Sequence, residues 1–294
     1  MSTSTFATIE KTEDHNGEYA LATGSAAVRR LLVLHNIYSP AGRRLLLQAG
    51  LEPGMSVADF GCGVGAMTRD LAEMVGPSGS VTGIDVNAAQ LNQAAAFCRE
   101  AGIGNVGFHN ADACDTGLPR ASFDLVYCRF LLLHLTRPAD CLREMRDLLK
   151  PNGILVIEDG DLASADSIPP TALQAFADLF TRLGPKRGLN YSVATRLFSM
   201  VKEAGFSSPS IEIHQPAGCA GDTGLLLTWS VQEAGPAFVS AGLITARELR
   251  KTLSKMEEAA NDLDVLALAP RMSVVWARKT NTGMLPAYRN LTSF

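Results

Sequence analysis

One stretch of nine residues, from Val57 to Gly65 (VADFGCGVG), constrains the fold of this chain more than any other part of the sequence. Its apolar start ends in an acidic residue and three glycines at alternate positions, and a segment with helical character, residues 67–75, follows at once. Glycine lacks Cβ and adopts positive φ freely, so a strand can turn sharply into a helix while a ligand lies against the turn. The first N–H groups of such a helix have no partner within it. The stretch therefore predicts a ligand site at a strand-to-helix turn.

Strands and helices alternate on both sides of this turn. Apolar runs bounded by turn residues predict strands, and segments of helical periodicity predict the helices between them. Parallel strands joined in this way form a sheet that is covered on both faces. The expected strands are residues 56–60, 80–84, 105–110, 123–128 and 154–158, with helices at 67–75, 88–101 and 138–149.

The regular alternation of strands and helices is limited to the part of the chain between the first and the fifth strand. Residues 24–38 predict a helix that Pro40 interrupts, and a second helix then runs to Ala49. Towards the C-terminus, a helix, a strand, a long excursion and a final strand predict an antiparallel closing pair at one sheet edge. The expected segments there are loops at 160–170 and 186–191, helices at 173–183 and 192–204, strands at 210–214 and 272–278, and an excursion with two helices at 215–269.

Composition and charge argue against several classes of protein. Hydrophobic residues make up 47% of the 294 residues, enough for a full core, and a net charge of −4 without a long basic run argues against nucleic-acid binding. No apolar stretch reaches the roughly 18 residues that cross a bilayer, and the polar N-terminus lacks the order of a signal peptide. The six cysteines form no Cys-x-x-Cys pair, which fits free thiols in a reducing compartment. We therefore expect a cytoplasmic protein without a nucleic-acid or membrane partner.

The glycines alone leave two ligands open. Gly61-x-Gly63-x-x-Ala66 satisfies the dinucleotide fingerprint, and Asp85, after the following strand, could hold a ribose of NAD. An NAD(P)-dependent oxidoreductase is therefore one interpretation. Against it, Asp59 would repel a pyrophosphate, and the chain lacks the Tyr-x-x-x-Lys pair of one common group of NAD enzymes.

Five motifs occur together, in the order and at the spacing of a known family. They are an Asp-x-Gly-x-Gly-x-Gly turn, acidic residues at the ends of the second and third strands, and two further strand motifs. In these motifs the chain resembles the class I S-adenosylmethionine-dependent methyltransferases, and within them the small-molecule branch that includes the ubiquinone/menaquinone-type methylases. The resemblance covers residues 50–160 closely. The motifs are residues 59–65, 83–86, 110–113, 123–129 and 148–155.

The resemblance implies an architecture as well as a ligand. The expected fold is α/β: a Rossmann-like, seven-stranded, mostly parallel sheet with helices on both faces, an antiparallel closing strand and an added helical cap. Within it we expect an N-terminal helical lid at residues 1–50 and an S-adenosylmethionine-binding core at 51–160. Residues 161–278 would complete the sheet and form the acceptor pocket through their helical excursions, and residues 279–294 would be a loose tail.

The same resemblance implies which residues hold S-adenosylmethionine and its product S-adenosylhomocysteine. Asp85 would bind both ribose hydroxyls, and Asp112 would accept a hydrogen bond from the adenine amino group. Asp59 is favourable beside a cationic methionyl group, directly or through water. Tyr19, in an N-terminal aromatic segment, would close over the cofactor as a lid. Further expected contacts come from Gly61, Cys62, Gly63, Gly65, Val86, Gln90, Ala113 and Arg129.

Methyl transfer from a sulfonium is an in-line displacement, so the protein mainly aligns the reactants and excludes water. A general base is needed only if the acceptor must lose a proton. The candidates are His134 after the fourth strand and Glu158 and Asp159 at the end of the fifth. A packing or capping histidine, and solvated carboxylates in a turn, are the alternatives. We expect no metal ion, because the sequence shows no other obvious metal ligands to accompany the carboxylates of Glu158, Asp159 and Asp161.

The acceptor is the least constrained part of the prediction. We expect an O, N or C atom of a small, partly apolar metabolite, in secondary or cofactor metabolism, and the sequence leaves a homodimer open. A cofactor-binding protein of this fold that does not methylate is an alternative, beside the oxidoreductase. Apolar residues of the two excursions are candidates for the pocket wall: Phe176, Phe180, Tyr191, Leu225, Leu226, Trp229 and Phe238.

Overall fold

The structure of the protein is a computed structural model that describes residues 25–280. Two sheets occur in this range, one of seven strands and one of three. The strands are β1 (Ser56–Phe60), β2 (Ser80–Asp85), β3 (Val106–Asn110), β4 (Phe123–Arg129), β5 (Leu149–Asp161), β6 (Asp166–Ile168), β7 (Ser210–His214), β8 (Ala217–Cys219), β9 (Leu266–Leu268) and β10 (Arg271–Arg278).

Helices cover the large sheet and form a cap beside it. Short 3-10 helices lie between some of these elements, at Leu132–His134, Leu162–Ser164, Ala172–Gln174 and Val193–Arg196. The α-helices are α1 (Ser25–Ala49), α2 (Ala66–Val75), α3 (Ala88–Glu100), α4 (Pro138–Leu148), α5 (Ala175–Arg187), α6 (Leu197–Glu203), α7 (Asp222–Glu233), α8 (Gly235–Ser240) and α9 (Ala246–Ala260).

The large sheet has the order β3-β2-β1-β4-β5-β10-β7. β1 pairs in parallel with β2 and β4, whereas β10 runs antiparallel to both of its neighbours, β5 and β7. The expected seven-stranded, mostly parallel sheet with an antiparallel closing strand is thus confirmed. Because the strand order reverses at β1, the carboxyl ends of β1, β2 and β4 border the crevice in which open α/β sheets bind ligands.

Alternation along the strands decides which side chains reach which face of the sheet. Val57 and Leu125 pack in the core beneath α1 and α2, whereas their neighbours Ala58 and Val126 pack in the core on the opposite face. By the same alternation, four polar side chains at the carboxyl edge lie on the face of Val57 and Leu125, towards α1 and α2. They are those of Asp59, Tyr127, Arg129 and Glu158. This face carries the polar part of the candidate site.

Helix α1 differs from the sequence-based expectation, since it continues through Pro40 without a break. Proline removes one helical hydrogen bond and crowds the preceding turn. Tertiary packing holds the helix together here, because Tyr38, Leu45 and Leu46 are completely buried against the sheet. The predicted interruption at Pro40 is therefore wrong.

The C-terminal part also has more structure than its pattern predicts. Strand β5 reaches Asp161 rather than ending at Glu158, because β10 pairs with it along residues 154–161. The predicted loop at 160–170 contains β6, and the excursion at 215–269 holds three helices and two strands instead of two helices. Strands β6, β9 and β8 form the second sheet. Each has three residues, too few to show a period of two.

Candidate active site

The glycine turn between β1 and α2 has the predicted geometry. Gly61, Gly63 and Gly65 have φ of +67°, +54° and +78°, a region that side chains with a Cβ atom rarely adopt. A Cβ atom on Gly61 would lie 2.9 Å from Leu131 Cδ1, and one on Gly65 would lie 2.8 Å from Ala94 Cβ. At Gly63 the nearest atom would be Gln90 Oε1, at 3.6 Å. Packing thus requires glycine at the outer two positions, whereas the space beside Gly63 is open to a ligand.

Asp85 ties the end of β2 to this turn. Its carboxylate accepts hydrogen bonds from the backbone N–H of Gly63 and of Asn87, both at 2.9 Å. Burial raises the pKa of Asp85, although these N–H groups partly oppose the shift. Because Asp85 is only half-buried, its remaining lone pairs can accept hydrogen bonds from a ligand at the turn.

The end of β3 adds an exposed carboxylate along the same edge. Asp112 accepts a hydrogen bond from the N–H of Cys114 at 2.7 Å, and Ala113 lies between them. Asn110 donates to the carbonyl oxygens of Asp85 and Val86, at 3.0 and 2.8 Å, and so joins the two strand ends. The predicted cofactor residues of β1, β2 and β3 therefore follow one another along one edge of the sheet.

Asp59 lies directly below the turn and is almost completely buried, with 2% of its surface exposed. Its carboxylate accepts a hydrogen bond of 2.6 Å from the Thr68 hydroxyl. Burial raises the pKa of Asp59 to about 7, although the hydrogen bond from Thr68 and the charge of Arg129 oppose the shift. A cation bound nearby would favour the ionised carboxylate, and a phosphate would disfavour it.

The ends of β4 and β5 bring Arg129 and Glu158 beside each other. One guanidinium nitrogen of Arg129, Nη2, lies 3.1 Å from His35 Nδ1 on α1. Glu158 is completely buried, and a Cβ atom on Gly42 of α1 would lie 2.7 Å from its Oε1. Burial raises the pKa of Glu158 to about 7, against the opposing influence of Arg129 and the Tyr127 hydroxyl.

Asp159 is also completely buried, but it faces the opposite side of the sheet. It accepts hydrogen bonds from the N–H groups of Leu132 and Gly160, at 2.8 and 2.9 Å, and so holds the turn after β4. Burial raises the pKa of Asp159 to about 7. The alternative of solvated turn carboxylates is therefore wrong for Glu158 and Asp159, whereas a catalytic role for either stays a prediction.

His134 ends the 3-10 helix after β4. Its ring lies edge-on to that of Tyr191, with centroids 6.0 Å apart. Burial, together with the charges of Arg30 and Arg187, lowers the pKa of His134 to about 3. The imidazole is therefore neutral near pH 7. Tyr19, the expected lid residue, lies outside the described residues.

The aromatic side chains expected at the acceptor pocket mostly form the core of the cap. Phe180 is 2% exposed, and its ring contacts those of Phe176, Tyr191 and Phe238 with centroids 4.8 to 5.3 Å apart. Trp229 is instead half-buried, with the Arg29 guanidinium 4.7 Å from its ring centre. The cap thus has its own packed interior, and Tyr191 connects that interior to His134.

Helix α1 contributes polar contacts to the site that go beyond the sequence-based expectations. His35 lies 3.5 Å from Asp70 of α2, and Ser39 donates a hydrogen bond of 2.8 Å to the same carboxylate. On α1, Arg30 forms a buried ion pair of 2.8 Å with Glu233 of the cap. The i, i+4 spacing of His35 and Ser39 on an otherwise apolar helix face is the signal that could have indicated these contacts.

The described range contains neither a candidate metal cluster nor a helix that could span a membrane. Residues 25–280 contain no group of three His, Cys, Asp or Glu side chains that could hold a metal ion. Every helix in the same range is too short or too polar to cross a membrane. All six cysteines, by contrast, lie within this range and are unpaired, as expected.

The buried carboxylates predict how stability depends on pH. A folded-state pKa of about 7 for Glu158, above its ordinary value of 4.5, stabilises the fold at low pH and loses that effect as pH rises through 7. The lowered pKa values of His35 and His134 act in the opposite direction up to and around pH 6.5, but they do so in the wild type and in Glu158→Gln alike. We expect the Tm of the wild type to fall relative to that of Glu158→Gln as pH rises from about 4.5 to 7, and the difference between the two to be constant at higher pH. Scanning calorimetry without ligand measures both slopes, and identical slopes would contradict the assignment.

Comparisons with known proteins agree with this geometry. A family model for a methyltransferase domain matches residues 51–197. The nocamycin O-methyltransferase of Saccharothrix syringae is 30% identical over 241 residues, which are 81% of this chain and 77% of that protein. The ubiquinone/menaquinone biosynthesis C-methyltransferase UbiE of Pseudomonas savastanoi pv. phaseolicola is 32% identical over 173 residues, covering 54% of this chain and 67% of its own length.

A solved structure is similar in fold. Phosphoethanolamine N-methyltransferase 2 of Haemonchus contortus, crystallised with phosphomonomethylethanolamine and S-adenosylhomocysteine, superposes with a TM-score of 0.53 and 16% identity. The superposition covers 86% of this chain and 53% of that chain.

Proposed function

Because this chain belongs to the S-adenosylmethionine-dependent methyltransferases, we propose that it transfers the methyl group to an oxygen atom of a small, partly apolar metabolite. The observation that carries the choice of oxygen is the similarity to nocamycin O-methyltransferase. That similarity covers 81% of this chain, and so extends well beyond the cofactor-binding core into the cap. The alignment with UbiE covers 54% of this chain, so it supports the donor site more than the acceptor.

The residues at the sheet edge fit S-adenosylmethionine. The open space at Gly63 is a cradle that a Cβ atom would fill, and the half-buried Asp85 carboxylate beside it suits ribose hydroxyls. Asp59 and Glu158, whose pKa values burial raises to about 7, suit a cationic group and would repel a pyrophosphate. The family assignment and these charges disfavour the alternative of an NAD(P)-dependent oxidoreductase.

Bound S-adenosylmethionine supplies a methyl group that its sulfonium already activates. The protein has to orient donor and acceptor and to exclude water from them. We infer that Gly63, Asp85 and Asp112 orient the donor, and that the cap above the carboxyl edge encloses the acceptor. A cap with a packed apolar interior supports a small acceptor of partly apolar character. The net charge of −4 and the unpaired cysteines support action in the cytoplasm, away from nucleic acid.

An acceptor hydroxyl must lose a proton, and we propose that His134 receives it. The ring of His134 lies beside Tyr191 at the carboxyl end of β4, and it is neutral at neutral pH, as a proton acceptor must be. General-base catalysis typically contributes about 10² to 10⁴ in rate. We therefore expect His134→Gln to lower kcat by at least about 10²-fold while the Kd for S-adenosylhomocysteine stays unchanged. An unchanged kcat together with a lowered Tm would make His134 a packing residue.

The proposed function is tested with a labelled donor. Purified protein is incubated with [¹³C-methyl]-S-adenosylmethionine and a metabolite extract, and labelled products are isolated by mass. The ¹³C chemical shift of the methyl group then distinguishes a methyl on oxygen from one on nitrogen or carbon. We expect a methyl ether or ester. A carbon-bound methyl would contradict the choice of oxygen, and donor binding without any labelled product would favour a protein that does not methylate.

A further inference from the structure

Two cysteines lie close together where the loop after β3 meets helix α4. The sulfur of Cys114 lies 3.7 Å from the carbonyl oxygen of Arg137, the residue before α4. The backbone N–H of Cys141, in the first turn of that helix, donates to the same oxygen at 3.4 Å. The thiol of Cys141 also forms a hydrogen bond with the sulfur of Cys114. The two side chains are therefore in contact, although β4 lies between them in the sequence.

The two thiols have different surroundings. Cys141 is completely buried in the core on the face opposite α1, and burial raises the pKa of its thiol. Cys114 is only half-buried. The hydrogen bond from Cys141 and the charge of Arg137 lower the pKa of Cys114, against the effects of burial and of Asp112. Because the thiolate is the reactive form of cysteine, Cys114 is the nucleophile of the pair and Cys141 is the buried thiol behind it.

The other four cysteines have different environments. Cys62, Cys98 and Cys128 are buried, so the protein shields them from reagents in solution. Cys128 lies close enough to Cys141 to influence its pKa, but it points into the same closed core. Cys219 is exposed on β8, in the small sheet. Among the six cysteines, Cys114 alone combines access from solvent with a second thiol as its hydrogen-bond partner.

The pair is directly connected to the proposed donor site. The N–H of Cys114 donates to the Asp112 carboxylate at 2.7 Å. Two residues further on, the N–H of Thr116 donates at 3.1 Å to Glu144 of α4, and the Thr116 hydroxyl donates to the same carboxylate. The loop is thus fixed by β3 before Cys114 and by α4 after it. A disulfide bond, at about 2.05 Å, is shorter than any hydrogen bond between two sulfur atoms, so its formation would draw Cys114 towards α4 and disturb its bond to Asp112.

We propose that Cys114 and Cys141 form an oxidation site, at which a peroxide produces a reversible disulfide that weakens binding of the methyl donor. Disulfides in reducing compartments are usually transient ones of this kind. The disulfide itself is independent of the reaction that the protein catalyses. Its effect on binding rests on the donor named in the proposed function.

The oxidation takes place in two steps. The Cys114 thiolate attacks one oxygen of hydrogen peroxide, the O–O bond breaks, and Cys114 becomes a sulfenic acid. The sulfur of Cys141 then attacks the sulfur of Cys114, and the hydroxyl group leaves as water. Together the two thiols lose two electrons and two protons, and the peroxide is reduced to two molecules of water. A thiol reductant reverses the reaction by exchange.

Mass spectrometry of the full chain tests the site. Reduced protein is treated with hydrogen peroxide, the remaining thiols are alkylated, and linked peptides are identified after digestion. We expect a link between Cys114 and Cys141 that dithiothreitol removes. Cys114→Ser should form no link, whereas Cys141→Ala should retain a sulfenic acid on Cys114 that dimedone traps. Links through Cys219 alone, links between two molecules through Cys114, or an unmodified Cys114 would overturn the proposal.

Calorimetric titration with S-adenosylhomocysteine tests the effect on the donor site. Loss of the hydrogen bond to Asp112 should weaken binding about two- to tenfold in the oxidised wild type, and dithiothreitol should restore it. Cys114→Ser should bind equally well before and after peroxide, and the control Cys219→Ser should respond as the wild type does. An unchanged affinity in fully linked protein would overturn the effect on binding. Failure of the reduced wild type to bind S-adenosylhomocysteine would instead reject the proposed donor, whereas absence of the linked peptides rejects the oxidation site.

Discussion

Replacing Asp85 by alanine is expected to lower the affinity for S-adenosylhomocysteine by at least about a hundredfold, since hydrogen bonds to a charged group contribute about 1.5–3 kcal/mol each. The variant would lose the carboxylate that we propose as the acceptor for both ribose hydroxyls. It also removes the acceptor of the Gly63 and Asn87 N–H groups, so the turn that holds the donor loses its anchor to β2. Calorimetric titration measures the change directly.

The matched control for this variant is Asp264→Ala. Asp264 is exposed in the turn between α9 and β9, so its removal should alter neither the affinity nor Tm. Asp85→Asn should lie between wild type and Asp85→Ala, because its amide keeps one acceptor oxygen. An Asp85→Ala protein that binds S-adenosylhomocysteine as tightly as the wild type would refute the role assigned to this carboxylate.

Gly63→Val is expected to abolish measurable binding of S-adenosylhomocysteine in the folded protein. A Cβ atom at Gly63 meets little of the protein, with only Gln90 Oε1 at 3.6 Å, so the branched side chain would occupy the space of the ligand. The positive φ of +54° adds a conformational cost of about 1–2 kcal/mol. Thermal unfolding and titration of the same sample separate this cost from the loss of the site.

Gly102→Val provides the comparison for Gly63→Val. Gly102 also has a positive φ, of +73°, and a Cβ atom there would meet nothing within 4 Å. It lies after α3, at the opposite edge of the sheet. The two variants should therefore lose similar Tm, and Gly102→Val should bind S-adenosylhomocysteine normally. Equal affinities in the two variants would show that Gly63 does not face the ligand.

Much of the donor side can be predicted from the sequence, because its signals are local. The motif from Asp59 to Gly65 indicates both the turn and its positive φ values, and short apolar runs with turn residues locate strands β1 to β4 within one or two residues. The placement of Asp85 and Asp112 follows from topology, since parallel strands end at a common edge.

The remaining features depend on contacts between distant parts of the chain. Helix α1 continues through Pro40 because the sheet packs against it, and β5 is longer than expected because β10 pairs with it. The burial of Glu158 beneath Gly42 of α1 has no local signal. The acceptor was least predictable of all, because Phe176 and Phe180 have the same periodicity whether they line a pocket or, as here, pack in the interior of the cap.

A crystal structure of the protein with S-adenosylhomocysteine tests the donor site most directly. We predict that the ribose hydroxyls lie on Asp85 and the adenine amino group at Asp112, with the nucleoside passing over Gly63. A ligand bound elsewhere, or an adenosine that does not contact Asp85 and the glycine turn, would contradict it.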